Sequence, residues 1–214
     1  QSNYVNVVEA LPGVTYLEGR ARFISSFEIE VREERYQGKS FIIATGASPR
    51  VPPIPGLDTI AWLDHRSSLE LKRQPRSLIV LGGGPLGLEF AQMFAHFGTE
   101  VTVIEAAPQI LPREEPEVAQ ELRRCLEDEG LTILTGARVE RVAEKYGRKE
   151  VILNLERGQR RITAEELLLA TGVMPNTQGL SLEQAGVEVD ARGAIKVNDW
   201  LQTSVTHIYA AGDV

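Results

Sequence analysis

The stretch that decides the fold is Leu78-Ile79-Val80-Leu81-Gly82-Gly83-Gly84-Pro85-Leu86-Gly87, followed at position 105 by a glutamate. Leu78 to Leu81 are apolar without alternation, as in a parallel strand covered on both faces. Gly82 to Gly87 then read G-x-G-x-x-G, and Leu88, Phe90, Ala91, Phe94, Ala95 and Phe97 recur at helical spacing up to a stop at Gly98. Alone, G-x-G-x-x-G is a weak signal. Here it follows a strand, opens a helix, and has Glu105 at the end of the next apolar run, Val101 to Ile104. Each residue has a job. Gly82 permits the tight turn, Gly84 lets the backbone approach a pyrophosphate, and Gly87 allows close helix–strand packing. The helix start offers free N–H groups to phosphates, and Glu105 can accept hydrogen bonds from a ribose 2′-hydroxyl while repelling a 2′-phosphate. No Arg or Lys lies between Glu105 and Arg113, so the expected nucleotide is NAD, with NADP less favoured. The bland readings are a glycine turn that binds nothing and a solvated strand-end carboxylate.

Outward from this stretch the pattern continues. Residues 116–129 read as a helix opened by Pro116, with Val118, Leu122, Cys125 and Leu126 as its apolar stripe. Leu131 to Leu134 is a third buried strand. Strand and helix in alternation predict an α/β fold, a Rossmann-like parallel sheet. Val139 to Val142 and Val151 to Leu155 then read as a β-meander inserted before a last buried strand, Leu167 to Ala170, with turns at 146–149 and 156–161. Upstream, Val14 to Phe23 and Phe27 to Val31 are strand-like, Phe27, Ile29 and Val31 alternating with glutamates, and Phe41 to Ala44 is a short buried strand. Four prolines in 49–58 interrupt the chain. The tail holds a short helix at 181–185 and a strand at Ile208 to Ala210.

Composition bounds the function. The 214 residues carry 23 Lys+Arg and 30 Asp+Glu, a net charge of −7, which argues against nucleic-acid binding. With 43% hydrophobic and 25% charged residues the chain is of ordinary globular composition, not disordered. No apolar run approaches the roughly 18 residues that span a bilayer, and no signal peptide is visible, so no membrane association is expected. The single cysteine, Cys125, cannot form an internal disulfide, which fits a cytoplasmic protein. Cys125 reads as a buried, inert thiol, and the scattered His65, His96 and His207 lack metal-ligand spacing. Met93 reads as helix core, Trp62 as a residue packing between units, and Arg113-Glu114-Glu115 as a solvated helix start.

Four phrases in order, FIIATGASPRVPPIPGL (41–57), LIVLGGGPLGLEFAQMFAHFGTEVTVIE (78–105), LLLATGVMPNT (167–177) and HIYAAGDV (207–214), resemble the flavin-dependent pyridine nucleotide-disulfide oxidoreductases, most closely the mercuric reductase and dihydrolipoamide dehydrogenase types. The resemblance covers essentially the whole chain. It implies residues 1–57 as part of an FAD-binding domain, 58–75 as a connection, 76–172 as the NAD(P)-binding domain and 173–214 as the return into the FAD domain. By the same resemblance Thr45 and Gly46 match a turn near the flavin nucleotide. Gly82, Gly83, Gly84, Pro85, Leu86 and Gly87 match the pyrophosphate loop. Glu89 and Gly172 match positions near the nicotinamide, and Glu105 and Val139 match positions near the adenosine. Asp213 matches an aspartate that hydrogen-bonds FAD. Two positions depart from the family pattern. Pro85 replaces an aromatic common in dihydrolipoamide dehydrogenases, and Val173-Met174 stands where many relatives have a basic residue. The family's first G-x-G-x-x-G, its C-x-x-x-x-C pair and its C-terminal interface domain are not in these residues. The chain therefore reads as the NAD(P)H-binding part of a homodimeric flavoenzyme that passes hydride through FAD to a cysteine pair and on to Hg(II) or a disulfide. By itself it is expected to bind dinucleotide without turnover. The alternatives are a stand-alone dinucleotide-binding module and a flavoenzyme of the NADH oxidase or ferredoxin reductase type.

Overall fold

The computed structural model describes residues 2–155 and 158–214. The chain divides into two compact units, one of residues 1–48 and 174–214, the other of the contiguous residues 49–173.

The contiguous unit is built on the stretch quoted above. Strands β6 (Ser77–Leu81), β7 (Glu100–Ile104), β8 (Thr132–Leu134) and β12 (Glu166–Leu169) form a parallel sheet in the order β12-β6-β7-β8. Every residue of β6 is buried, because both faces of the sheet are covered. Leu78 and Val80 face helices α2 (Pro85–His96) and α3 (Pro116–Asp128), in a core with Leu88, Ala91, Phe94, Ala119 and Leu126. Ile79 and Leu81 face the other way, into a core with Leu57, Val142, Val151 and Leu153. That second face is covered by an antiparallel meander, β9 (Arg138–Lys145), β10 (Arg148–Leu155) and β11 (Gly158–Ala164), placed between β8 and β12 in the chain. The fold is thus α/β, a Rossmann-like parallel sheet with an inserted β-meander.

In the meander, β10 is buried along most of its length, charges included. Glu150 lies within 3.2 Å of the Lys145 Nζ and 3.4 Å of the Arg161 Nε, and the buried Lys149 ammonium pairs with Glu144. The connecting segment closes the open edge of the parallel sheet. The Leu63 N–H donates to the Leu167 carbonyl at 2.7 Å, and the Leu169 N–H donates back to Leu63 at 2.8 Å.

The second unit joins the two ends of the chain. Its strands β1 (Ala21–Ser25), β2 (Glu28–Val31) and β3 (Glu34–Gln37) form an antiparallel sheet. Strand β4 (Phe41–Ile43) pairs in parallel with β14 (Ile208–Ala210). Phe23, Ile43, Leu182, Ala185, Ile195 and Ile208 make its core, with Phe23 and Phe41 edge to face at 5.3 Å. Helices α1 (Ser2–Glu9) and α4 (Leu182–Ala185) and short strands β5 (Ala47–Pro49) and β13 (Val173–Pro175) complete the element list.

Several sequence expectations are corrected. Residues 14–20 form no strand; regular pairing starts at Ala21, after Gly19, where a Cβ would come within 2.7 Å of Val31. Helix α1 was not foreseen. Phe27 lies in the β1–β2 turn, 55% exposed, and stacks on the His207 ring at 4.1 Å instead of starting β2. On α3 the inward position belongs to Ala119, and Val118 points out. Phe97 is the exposed C-cap of α2. Cys125 is only half-buried, its Sγ 3.9 Å from Glu121 and from Arg124. Trp62 packs against the meander-side core of its own unit. Only Tyr146 and Gly147, both at positive φ, make the β9–β10 turn, while Arg148 and Lys149 belong to β10. Residues 158–161 are strand, not turn. The part of that expected turn at Glu156 and Arg157 lies outside the described residues.

A carboxylate ties the β12 entry to the connecting segment. Glu165 accepts the Arg76 N–H at 2.9 Å, and this bond, with Arg73 nearby, holds its carboxyl below the ordinary value of 4.5. A depressed carboxyl stabilises the fold above its unfolded pKa, and that stabilisation is lost as pH falls through the folded value. The Glu165→Gln variant is expected to melt below the parent at pH 7, and the difference in Tm should shrink as the pH drops below about 4.5. Thermal melts from pH 7 to pH 3 check this; a gap that is constant with pH would contradict it.

Candidate functional site

In the parallel sheet, β6 connects to β7 on one side while β12 lies on the other. The strand order therefore reverses between β6 and β12. In open α/β sheets, ligands bind at the carboxyl ends of the strands at such a reversal. A cavity of about 780 Å³ occupies that place, bordered by Leu81 and Gly82 after β6, Glu105 after β7 and Ala170 to Gly172 after β12. Its size falls in the ordinary range for cofactor sites.

The glycines of the loop have three distinct roles. Gly82 has φ 113°, and a Cβ there would lie 2.3 Å from the Ala170 carbonyl oxygen. Gly87 is buried, and a Cβ on it would lie 2.2 Å from the Gly82 oxygen. Helix α2 thus presses directly on the turn. Gly84, the N-cap of α2, is the opposite case: a Cβ would meet nothing within 4 Å, because its free side faces the cavity. Pro85 at the first helical position lacks an N–H, so the Leu86 and Gly87 amides are the first-turn donors without an intrahelical acceptor. No side chain caps this end. A bound anion would supply the missing acceptor.

Glu105 is half-buried at the cavity wall. Its Oε2 accepts the Gly83 N–H at 2.7 Å and its Oε1 accepts the Ala107 N–H at 2.7 Å. Each oxygen keeps a lone pair for a further donor. The Gly83 carbonyl in turn accepts the Leu111 N–H at 2.8 Å. Leu111 has φ 45°, a left-handed conformation that costs a non-glycine residue about 1 kcal/mol. The loop it belongs to is braced from within by Gln109, whose Nε2 donates to the Glu114 carbonyl at 3.1 Å.

The thirteen residues singled out in the sequence fall into two groups. Gly82 to Gly87, Glu89, Glu105, Val139 and Gly172 belong to the contiguous unit, and Thr45, Gly46 and Asp213 to the other. Gly82, Gly84, Pro85, Leu86, Glu105, Val139 and Gly172 line the cavity. Gly83 and Gly87 are buried and Glu89 is exposed on α2, and none of the three lines the cavity. Gly172, with φ 100°, accepts the Arg50 N–H at 2.9 Å. In the other unit, Thr45 follows β4 and Asp213 follows β14, so the pairing of these parallel strands puts both at carboxyl ends of one small sheet. The Thr45–Gly46 turn is held by Asn176. The Thr45 Oγ1 donates to the Asn176 carbonyl at 2.8 Å, the Asn176 N–H to Gly46 at 2.8 Å, and the Asn176 Nδ2 to Thr45 at 3.0 Å.

Among the cavity residues that sequence reasoning missed, two are cationic. Arg113, expected only at a solvated helix start, and Arg138, on β9, both line the cavity, and among the described residues neither has an ion-pair partner. Arg138 was unremarkable because sequence spacing does not show that β9 starts beside Glu105; the Ala137 N–H bonds the Glu105 carbonyl at 2.9 Å. Among the described residues no His, Cys, Asp or Glu cluster has the makings of a metal site, and no helix is long and apolar enough to cross a membrane.

The chain is similar to known proteins in sequence and in fold. The chain is 40% identical to a mercuric reductase of Bacillus cereus over 211 residues, 99% of this chain and 33% of that protein. It is 42% identical to a dihydrolipoyl dehydrogenase of Thermus scotoductus, over 94% of this chain and 44% of the other. Among solved structures, the HOCl-induced flavoprotein disulfide reductase RclA of Escherichia coli, as its Cu(II) complex, superposes with a TM-score of 0.87 at 38% identity, covering 99% of this chain and 48% of that one. The chain spans about a third to a half of the length of these relatives. The sequence profile of the pyridine nucleotide-disulphide oxidoreductases matches residues 1–214, so the chain belongs to that family.

Proposed function

We propose that the chain is the nicotinamide-dinucleotide-binding part of an FAD-dependent oxidoreductase. The observation that carries this reading is the open side of Gly84, which lets an anion reach the uncapped start of α2 inside the strand-reversal cavity. The pyrophosphate sits against Gly84, Pro85 and Leu86. The adenosine ribose lies at Glu105, whose carboxylate accepts its 2′-hydroxyl, with Val139 beside the adenine. Gly172 and Glu89 lie toward the nicotinamide. In the other unit, Thr45, Gly46 and Asp213 hold FAD from the carboxyl ends of β4 and β14. When bound, these groups would supply hydride transfer from the nicotinamide to the flavin, with Hg(II) or a disulfide as the acceptor reduced through a cysteine pair elsewhere in the enzyme. This chain's own residues bind, orient and shield. With Cys125 as its single cysteine it offers no redox pair. The working protein is a cytoplasmic homodimer with no nucleic-acid or membrane partner.

Glu105 favours NADH. A second reading, acceptance of NADPH, is favoured by Arg113 and Arg138, two guanidinium groups in the same cavity with no ion-pair partner among the described residues. Titration calorimetry with NADH and NADPH separates the two. In the Glu105→Ala variant the ratio of NADH to NADPH affinity is expected to move toward NADPH by about tenfold or more, the worth of a charged hydrogen bond. An unchanged ratio would remove Glu105 from the ribose site.

Two glycine variants separate binding from folding. Gly84→Ala is expected to keep the parent Tm and lose about tenfold or more in NADH affinity, because its methyl group projects into the binding space. Gly87→Ala is expected to unfold at lower temperature, because its methyl group collides with the Gly82 carbonyl. Finally, the purified 214-residue chain is expected to bind dinucleotide but to reduce neither Hg(II) nor lipoamide with NADH. Measurable turnover in a spectrophotometric NADH assay would contradict this.

A further inference from the structure

Three consecutive glycines, Gly82 to Gly84, make a loop with little intrinsic preference for one conformation, yet the amides that would meet a phosphate depend on its shape. The structure holds this loop from outside. The middle glycine is gripped on both sides, its N–H by the Glu105 Oε2 at 2.7 Å and its carbonyl by the Leu111 N–H at 2.8 Å, so the two peptide groups that flank it are both held. Glu105 is itself anchored by the Ala107 N–H at 2.7 Å. Gly83 fits closely into this grip, since a Cβ there would stand 3.1 Å from the Glu105 Cβ and 3.2 Å from the Ile110 Cγ2.

We propose that Glu105 is a positioning residue for the phosphate-binding loop as well as an acceptor for the ribose. Its carboxylate fixes the Gly83 peptide, and thereby the Gly84 and Leu86 backbone, before ligand arrives. Substituting Glu105 then weakens binding of any pyrophosphate-bearing ligand, including one with no 2′-hydroxyl. The inference rests on the dinucleotide reading above and extends it. It separates two effects that one substitution mixes. The NADH-to-NADPH ratio reports the ribose contact, because the loop contribution is common to both nucleotides. Affinity for a ligand without the 2′-hydroxyl reports the loop alone.

The test is a cycle of 5′-ADP and 2′-deoxy-5′-ADP against the parent chain, Glu105→Gln and Glu105→Ala, by calorimetry. Hydrogen exchange at the Gly83 amide is followed in the same proteins. Glu105→Ala is expected to lose about tenfold in affinity for 2′-deoxy-5′-ADP and to expose the Gly83 amide to exchange, while the Val103 amide at the sheet centre stays protected. Glu105→Gln keeps one acceptor oxygen and should fall between. Unchanged affinity for 2′-deoxy-5′-ADP, or unchanged exchange at Gly83, overturns the proposal. If the parent chain binds neither nucleotide, the dinucleotide reading fails and takes this role with it.

Discussion

The contact on which the site depends is the one between helix α2 and the turn that precedes it. At Gly87 the backbone of α2 comes so near the Gly82 carbonyl that no side chain fits between them. Gly82 in turn lies against the Ala170 carbonyl at the end of β12. These two close approaches bring the helix start, the end of β6 and the end of β12 to one point. The cavity is what remains open around that point, and Gly84 is the one residue of the loop's three glycine positions, 82, 84 and 87, with free space beside it. Packing and binding are therefore two sides of one arrangement.

The parallel sheet meets different partners on its two faces. Helices α2 and α3 cover one, where Leu78 and Val80 point, and the meander covers the other, where Ile79 and Leu81 point. The meander also supplies part of the cavity wall through Ala137, Arg138 and Val139. An element inserted to complete the core thus brings two kinds of group to the cavity wall, an apolar surface at Val139 and a guanidinium at Arg138.

Much of this was legible in the sequence where one physical cause dominated. Unbroken apolar runs marked strands covered on both faces, and the glycine spacing marked the strand-to-helix turn. Where causes competed, reading along the chain failed. Val118 and Phe97 are apolar, but the direction of a helical side chain is set by its phase, and Ala119 holds the inward phase on α3. Phe27 continues an alternation, yet it turns away to stack on His207, a residue 180 positions distant. The polar run at 158–161 looks like a turn because β11 is solvated along most of its length, and its pairing with β10 cannot be read from its own residues. Arg113 and Arg138 entered the cavity by the same kind of long-range neighbourhood. The double grip on Gly83 is likewise invisible in sequence, because it joins residues 22 and 28 positions apart, through the Glu105 carboxylate on one side and the Leu111 backbone on the other.

The division of the chain adds a last constraint. Every residue lining the strand-reversal cavity belongs to the contiguous stretch 49–173, whereas the other unit is assembled from the two ends of the chain. The contiguous unit closes its sheet by contacts within itself, including the Leu63 pairing that covers the β12 edge. The other unit must join β4 to β14 across more than 160 intervening residues, a pairing whose closure entropy is paid only when the stretch between is already compact. The pairing of β4 with β14 therefore closes at the least entropic cost once the contiguous unit has formed. Ligand bound in its cavity stabilises that unit by mass action. It therefore acts on the stretch of chain that separates β4 from β14.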